Sequence, residues 1–231
     1  VGVAGTTGLG MVDPMNELSE IALAHNIHLH VDAAFGGFVL PFLKELGFNA
    51  PDFDFRLPGV CSITIDPHKM GLAPIPAGGI LFRDASMTEA ISMRVPYLAG
   101  GETEQSTVMG TRPGASSIAV WALLMHLGRE GYKAVVERCL RLTWKLVEGI
   151  QRINGIDIVT QPTINVVGIK SGTTDVRLIA QELRKRGWAV SLFPGYIRIV
   201  IMPHVKPSHI ESFLGDLGKI MRKLNGIKGG V

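Results

Sequence analysis

The chain has 231 residues, of which 46% are hydrophobic and 19% are charged, and its formal net charge is only +3. This composition predicts a globular protein with a sizeable core, and neither the charge nor any apolar run indicates a nucleic-acid or membrane partner. We expect no signal peptide. With two cysteines, Cys61 and Cys139, we expect reduced thiols and a cytoplasmic location.

The first 31 residues predict a strand, a helix and a second strand. A glycine turn at residues 5–10 follows the first strand, and Asp13 and Pro14 are typical of the N-cap and first position of a helix. Such a βαβ unit implies a parallel strand pair with a right-handed crossover. The predicted apolar face of the helix comprises Met15, Leu18, Ile21 and Ala22. Because the chain starts inside a predicted strand without a methionine, we expect it to be the C-terminal portion of a longer protein.

The second predicted strand, residues 27–31, ends in a carboxylate. Asp32 is followed by small residues, among them Ala34. An unpaired buried charge is costly, so Asp32 requires a cationic partner. That partner is either a structural Arg or Lys, which is the commoner case, or the protonated nitrogen of a pyridine ring.

A third strand is predicted at residues 60–65, and Pro67 ends it. The chain then presents His68 and Lys69 at the strand end, where ligands bind in α/β folds. A lysine among small and apolar residues is easily desolvated, which would lower its pKa and favour the neutral amine that a Schiff base requires. The alternative is an ordinary surface lysine, with Asp66 and His68 serving the turn alone.

The rest of the chain alternates helices, strands and loops. Residues 38–59 predict a short helix and a loop, and residues 92–111 a long loop that is either functional or mobile and contains Tyr97. The other predicted elements are a strand at 78–82, a buried apolar helix at 115–127, an amphipathic helix at 132–153, a strand at 164–169, a helix at 175–186 closed by Gly187, a strand at 196–202 and a helix at 207–224. Arg198 lies in an apolar strand and needs a partner, most commonly an ion pair.

Four motifs lie in order over nearly the whole chain: HVDAAFGGF at 30–38, SITIDPHKM at 62–70, GTRPG at 110–114 and MPHV at 202–205. Together they resemble the group II pyridoxal-phosphate decarboxylases, and most closely the archaeal L-tyrosine/L-aspartate decarboxylases. The resemblance implies an α/β fold of type I, with a mostly parallel sheet in the large domain, a small C-terminal α+β domain and a missing N-terminal part. We expect residues 1–130 to belong to the large domain and residues 131–231 to supply the linking helix and the small domain.

The resemblance also implies roles for individual residues around pyridoxal 5'-phosphate. Lys69 would form the Schiff base with the cofactor, Asp32 would pair with the pyridinium and Ala34 would lie against the ring face. Thr7 would stand beside the ring, and His68 would contact the phosphate or the aldehyde oxygen. No metal site is implied.

Further roles implied by the resemblance concern the substrate and the partner subunit. Thr111 resembles a position that reaches the cofactor phosphate of the partner subunit, which implies a homodimer with a shared active site. Arg198 would hold the substrate α-carboxylate. Tyr97 lies earlier in its loop than the tyrosine that protonates the carbanion in aromatic amino acid decarboxylases, so packing is an equal alternative for it.

The activity implied by the resemblance is release of CO2 from an amino acid. The substrate would be L-aspartate, giving β-alanine for coenzyme A biosynthesis, or L-tyrosine, giving tyramine for methanofuran biosynthesis. The motif variants favour aspartate. The alternatives are a glutamate decarboxylase or another pyridoxal-phosphate lyase on the same scaffold, and a truncated chain that dimerises without catalysis.

Overall fold

The computed structural model describes residues 1–97 and 99–228. Its elements in chain order are β1 (Gly2–Val3), α1 (Met15–Ala24), β2 (Leu29–Asp32), α2 (Leu40–Leu43), β3 (Val60–Ile65), β4 (Gly79–Phe82), α3 (Ser86–Ile91), β5 (Met93–Val95), β6 (Thr103–Gln105), α4 (Ala115–Gln151), β7 (Asp157–Ile158), β8 (Val166–Lys170), α5 (Val176–Lys185), β9 (Ser191–Phe193), β10 (Tyr196–Val200) and α6 (Pro207–Lys228). Short 3-10 turns at Gly36–Phe38 and Lys44–Leu46 flank α2.

The chain divides into two compact units. The first comprises residues 1–4, 13–38 and 51–128, and the second comprises residues 5–12, 39–50 and 129–231. The domains expected at 1–130 and 131–231 stay a prediction.

The first unit contains a four-stranded sheet in the order β1, β2, β3, β4. The β1–β2 and β2–β3 pairs are parallel, and β4 is antiparallel to β3, so the mostly parallel sheet is confirmed. Alternation along β2 buries Leu29 and Val31 and leaves His30 and Asp32 half-buried. One face of the central strands is therefore core, and the other carries polar side chains.

The beginning of α1 differs from the prediction. Pro14 occupies the N-cap position without a side-chain cap, and Asp13 Oδ2 instead accepts a hydrogen bond from the Val3 N–H at 2.7 Å. The expectation of Asp13 as N-cap is wrong because the β1 backbone uses its carboxylate. The buried face is Met15, Ser19 and Ala22, whereas the side chain of Ile21 is 51% exposed.

The segment before Gly128 also departs from the prediction. Residues 115–127 form a helix, but none of the apolar residues in this stretch is buried, and Trp121 is 64% exposed. The long loop expected at 92–111 contains the antiparallel β5–β6 hairpin, and Leu98 lies outside the described residues. The exposed apolar residues of the helix at 115–127, which we call the α4 apolar face, are Ile118, Trp121, Leu124 and Met125.

Beyond Gly128, at which φ is +56°, α4 is the predicted amphipathic helix. The expected face is buried, and it comprises Val136, Leu140, Thr143, Val147 and Ile150. Because only glycine adopts this backbone conformation without strain, Gly128 separates two stretches of helix whose burial differs.

The second unit contains an antiparallel sheet in the order β7, β8, β10, β9, together with α5 and α6. Asp175 caps α5 by accepting a hydrogen bond from the Arg177 N–H at 2.9 Å, and Gly187 follows its end with φ +87°. The helix bounds and its closing glycine are confirmed, and so is the α+β character of this part. The strands β7 and β9 were not predicted, since two or three residues are too few to show alternation.

Among residues 1–97 and 99–228, no helix is long and apolar enough to cross a membrane.

Both cysteines are free thiols. Cys139 is buried on α4, and burial raises the pKa of its thiol from 9.0 to about 11. Cys61 on β3 is half-buried.

In the folded protein we expect iodoacetamide at pH 8 to alkylate Cys61 much faster than Cys139. A pKa of about 11 instead of 9.0 leaves Cys139 with about a hundredfold less thiolate than an ordinary cysteine, and burial also blocks the reagent. Because folding raises the pKa of Cys139, the free energy of unfolding should decrease as the pH rises above the pKa of this thiol in the unfolded chain. Peptide mass spectrometry gives both rates, and equal native rates would contradict the expectation. Unfolding the protein in denaturant should abolish the difference.

Candidate active site

Asp32 and Lys69 follow neighbouring strands of the first unit. Asp32 ends β2 directly opposite Thr64 of β3, and Lys69 lies in the turn after β3. The ladder continues past the strands, because the Asp66 N–H donates to the Ala34 carbonyl at 3.2 Å. Since parallel strands end at the same edge of a sheet, the structure brings the segments that contain Asp32, Ala34, His68 and Lys69 to one edge.

Asp32 ends β2 with a carboxylate that is held by the backbone. Its Oδ1 accepts a hydrogen bond from the Ala34 N–H at 3.0 Å, which fixes the side chain in a turn. Across the described part of the chain, no Arg, Lys or His side chain pairs with this carboxylate. The structure therefore gives no support to a structural cation, and the free carboxylate fits a protonated pyridine nitrogen.

Lys69 is held by a residue of its own turn. Its Nζ lies 2.7 Å from Asp66 Oδ2, and its backbone N–H donates to the Asp66 carbonyl at 3.0 Å. The expectation of a desolvated lysine is wrong for this structure, since the side chain is 38% exposed and has a carboxylate partner. The apolar sequence after Lys69 gave no sign of that partner, which precedes it.

The ring of His68 is tied to the segment before β4. Its Nδ1 lies 2.8 Å from the Ala77 carbonyl oxygen and 3.3 Å from the Ala77 nitrogen. The shorter distance favours a tautomer in which Nδ1–H donates to the carbonyl, and Nε2 then keeps its lone pair. Nε2 lies 3.8 Å from Asp66 Oδ2. The cofactor contact expected of His68 stays a prediction.

Close packing behind the turn fixes its path. A Cβ atom at Gly71 would lie 2.7 Å from both Cα and O of Pro67 and 2.9 Å from the ring of Phe38. Real Cβ atoms do not approach other atoms so closely, so only glycine fits without moving the backbone. Leu72 follows with a positive φ of +65°, which shows how sharply the chain bends here.

A polar network beside Asp32 was missed by the sequence interpretation. We call His30, Ser62 and Thr64 the polar network. His30 Nδ1 lies 2.8 Å from Ser62 Oγ, and its Nε2 lies 3.0 Å from Thr64 Oγ1. His30 shares a face with Asp32 because side chains two residues apart point the same way along a strand. The alternation of polar residues in both strands was the signal that could have revealed it.

The three further candidate residues are all exposed. Thr7 is exposed in the glycine turn of the second unit. Tyr97, 79% exposed, and the exposed Thr111 belong to the first unit, and neither hydrogen bonds to Asp32 or Lys69 within the described residues. Their roles stay predictions. Within residues 1–97 and 99–228, no group of three or more His, Cys, Asp or Glu side chains is arranged to hold a metal ion.

Arg198 is half-buried on β10 in the second unit. Its Nε is buried and has no hydrogen-bond partner among residues 1–97 and 99–228, and burial lowers the pKa of the guanidinium. The expected ion pair is wrong, since no carboxylate pairs with Arg198 in the described part of the chain. Arg198 lines a cavity of about 450 Å³ together with Ser191, His204 and His209. An unpartnered guanidinium beside a cavity is suited to an anion such as a carboxylate.

A known protein family matches most of this chain. Residues 1–171 match the family model of the pyridoxal-dependent decarboxylase conserved domain. The chain belongs to this family. The resemblance drawn from the four motifs is thereby confirmed, and pyridoxal phosphate is the cofactor that the family indicates.

The curated relatives that match are longer than this chain. The L-aspartate/L-glutamate decarboxylase of Pyrococcus horikoshii is 57% identical over 221 residues, a match that covers 96% of this chain and 57% of the relative. The L-aspartate decarboxylase of Thermococcus kodakarensis is 54% identical, with 97% of this chain and 58% of the relative covered. A probable L-tyrosine/L-aspartate decarboxylase of Methanothermobacter thermautotrophicus is 52% identical, with 94% and 60% covered. The chain thus spans less than two thirds of each.

Solved structures confirm the fold-type-I architecture. Sphingosine-1-phosphate lyase from Burkholderia pseudomallei matches with a TM-score of 0.88 and 32% identity, over 96% of this chain and 51% of that one. Glutamate decarboxylase from Lactobacillus brevis matches with a TM-score of 0.84 over 96% of this chain and 54% of that one. At 23% identity the second likeness shows the fold alone.

We expect His30→Ala to lower the free energy of unfolding by about 1 to 2 kcal/mol, because it leaves the Ser62 and Thr64 hydroxyls without their partner. Urea titration followed by circular dichroism measures the change. His28→Ala removes an exposed imidazole just before the same strand and should cost much less. Equal losses in the two variants would show that the polar network does not stabilise the sheet.

Proposed function

We propose that the protein is a pyridoxal-phosphate-dependent amino-acid decarboxylase that converts L-aspartate to β-alanine and CO2. One observation carries the proposal: within the described residues the Asp32 carboxylate lacks a protein cation, and it ends β2 at the sheet edge where Lys69 follows β3. A cationic ring nitrogen and an aldehyde are the partners that such a carboxylate and amine would take. Membership of a pyridoxal-dependent family supports both assignments.

The residues of the first unit would divide the work of holding the cofactor. Lys69 Nζ would bind the aldehyde carbon covalently, and Asp32 would keep the ring nitrogen protonated, because an opposite charge favours the charged form. Ala34 would lie against the ring face, and His68 would contact the phosphate or the aldehyde oxygen. When bound, the cofactor would accept the electron pair that the departing CO2 leaves behind.

The second unit would contribute to substrate binding. Arg198 would bind a substrate carboxylate, and its buried Nε, which has no partner in the described part of the chain, supports this role. The names of the relatives from Pyrococcus and Thermococcus favour L-aspartate. The Methanothermobacter relative supports L-tyrosine as a second substrate, with tyramine as product, and the Pyrococcus name keeps L-glutamate as an alternative.

We further propose a homodimer with a shared active site. The α4 apolar face, with Trp121 64% exposed, supports a subunit interface, because monomers rarely leave such a patch in water. Thr111 precedes α4 and would reach the partner's cofactor phosphate, and Thr7 would stand beside the ring. Tyr97 would pack in the substrate loop or donate the proton to the product.

The remaining proposals concern the setting of the reaction. The two free cysteines support a cytoplasmic location. β-Alanine would serve coenzyme A biosynthesis, and tyramine would serve methanofuran biosynthesis. Because the chain spans little more than half of its relatives, a truncated, non-catalytic fragment is the alternative for this stretch alone. Experiments on activity therefore require the full-length protein.

In the full-length protein, Lys69→Ala should abolish the visible absorption band of lysine-bound cofactor and lower decarboxylation at least about a thousandfold, because no other amine follows β3 in this turn. Lys170→Ala removes an exposed lysine and should change neither. Spectra are recorded with added pyridoxal phosphate, and amine products are identified by mass spectrometry with aspartate, tyrosine and glutamate in turn.

The products decide between the candidate substrates. β-Alanine, tyramine or γ-aminobutyrate as the main product would select aspartate, tyrosine or glutamate. Identical spectra for wild type and Lys69→Ala would overturn the cofactor assignment. A band without any amine product would retain the cofactor site and reject decarboxylation of these acids.

We expect Arg198→Met to raise KM for aspartate about tenfold to a hundredfold without loss of the visible cofactor band, since a charged hydrogen bond to a carboxylate contributes about 1.5 to 3 kcal/mol. Arg184→Met, at an exposed position on α5, is the matched control. Steady-state kinetics measure the change. A KM that is the same in both variants would remove Arg198 from the substrate site.

A further inference from the structure

We propose that Asp66 is a positioning residue that holds the Lys69 amine whenever that amine is not bonded to the cofactor. Lys69 Nζ lies 2.7 Å from Asp66 Oδ2, within one turn. The inference rests on the proposed function, because it assigns Lys69 two positions, one on the cofactor and one on Asp66.

Asp66 is fixed more firmly than its lysine. Its N–H donates to the Ala34 carbonyl at 3.2 Å, and its own carbonyl accepts from the Lys69 N–H at 3.0 Å. A Cβ atom at Gly78 would lie 3.2 Å from Asp66 Oδ1, so the absence of a side chain there makes room for the carboxylate. The Asp66 side chain is 17% exposed, against 38% for Lys69. The carboxylate is therefore the fixed member of the pair, and the flexible lysine stem is the moving one.

The groups that face this carboxylate are few. His68 Nε2 lies 3.8 Å from the same Oδ2, beyond hydrogen-bonding distance, and its Nδ1 is engaged by Ala77. Within the described residues, Lys69 is the only Lys or Arg that pairs with Asp66. In the described part of the chain, one carboxylate thus matches one ammonium ion, with the His68 imidazole as the only other titratable side chain near it.

Amine exchange would produce a charge that such a partner can stabilise. If a substrate amine displaced it, Lys69 Nζ would give up its bond to the aldehyde carbon to the substrate nitrogen and would take up the protons that the substrate ammonium loses. The released lysine is then an ammonium ion in a half-buried turn, which is costly without a counter-ion. Asp66 supplies that counter-ion and keeps Nζ beside the sheet edge to which it must return.

The test measures Lys69 in the full-length protein freed of cofactor. An amine-acetylating reagent labels all lysines at fixed pH, and mass spectrometry gives the Lys69 rate relative to the exposed Lys219. Asp66→Asn should raise the Lys69 rate about threefold to tenfold, because acetylation requires an amine that has left its carboxylate. Asp84→Asn makes the same charge change at an exposed site after β4 and should leave the rate unchanged. Asp66→Glu keeps the charge and should restore slow labelling.

A second readout uses the loaded protein. Asp66→Asn should retain the visible band of bound cofactor and lower kcat about tenfold with little change in KM, since amine exchange and not substrate capture is affected. Where Asp66→Asn does not fold, Asp66→Ser replaces it. Equal Lys69 acetylation rates in wild type and the neutral variant would overturn the inference. A wild-type protein that binds no pyridoxal phosphate would overturn the proposed function, and the acetylation rates would still test the ion pair separately.

Discussion

The parallel pairing of β2 with β3 is the constraint on which the site depends. Its register sets Asp32 opposite Thr64 and His30 opposite Ser62, so the ends of both strands meet at one edge. A slip of one residue would turn every side chain of β2 to the other face and bury the Asp32 carboxylate. The buried Leu29 and Val31 oppose that slip, because it would expose them to water. Burial of apolar side chains on one face of β2 thus fixes the position of the polar side chains on the other face.

Polar groups on the half-buried face are tolerated because most have partners. The imidazole of His30 joins two hydroxyls, the Asp32 carboxylate takes a backbone N–H, and the Asp66 carboxylate pairs with Lys69. Such partners offset the loss of hydration that burial imposes. The groups whose charge or hydrogen-bonding capacity is unused indicate where a ligand would bind. In the described part of the chain, Asp32 has no cationic partner and Arg198 Nε has no hydrogen-bond acceptor. A charged ligand would satisfy each of them.

Local patterns predicted much of the fold. The β-branched run at Val60–Ile65 and the bounds and closing glycine of α5 are confirmed, because short-range sterics and hydrogen bonds decide them. The resemblance of the four motifs to a known family is also confirmed. The sequence could not show that the β1 backbone would take the Asp13 carboxylate, or that the helix at 115–127 would be exposed. Both depend on contacts between segments distant in the chain, as do the polar network and the missing partner of Arg198.

The close contact at Gly71 gives the site a hidden sensitivity. The ring of Phe38 and the backbone of Pro67 pack against Gly71 and thereby fix the turn that contains Lys69. Neither group carries a charge or a reactive atom. A survey of harmful variants confined to charged and catalytic positions would overlook this aromatic support. If the site were transferred to another protein by design, the turn sequence and Phe38 would have to be transferred together for the Lys69 amine to keep its position.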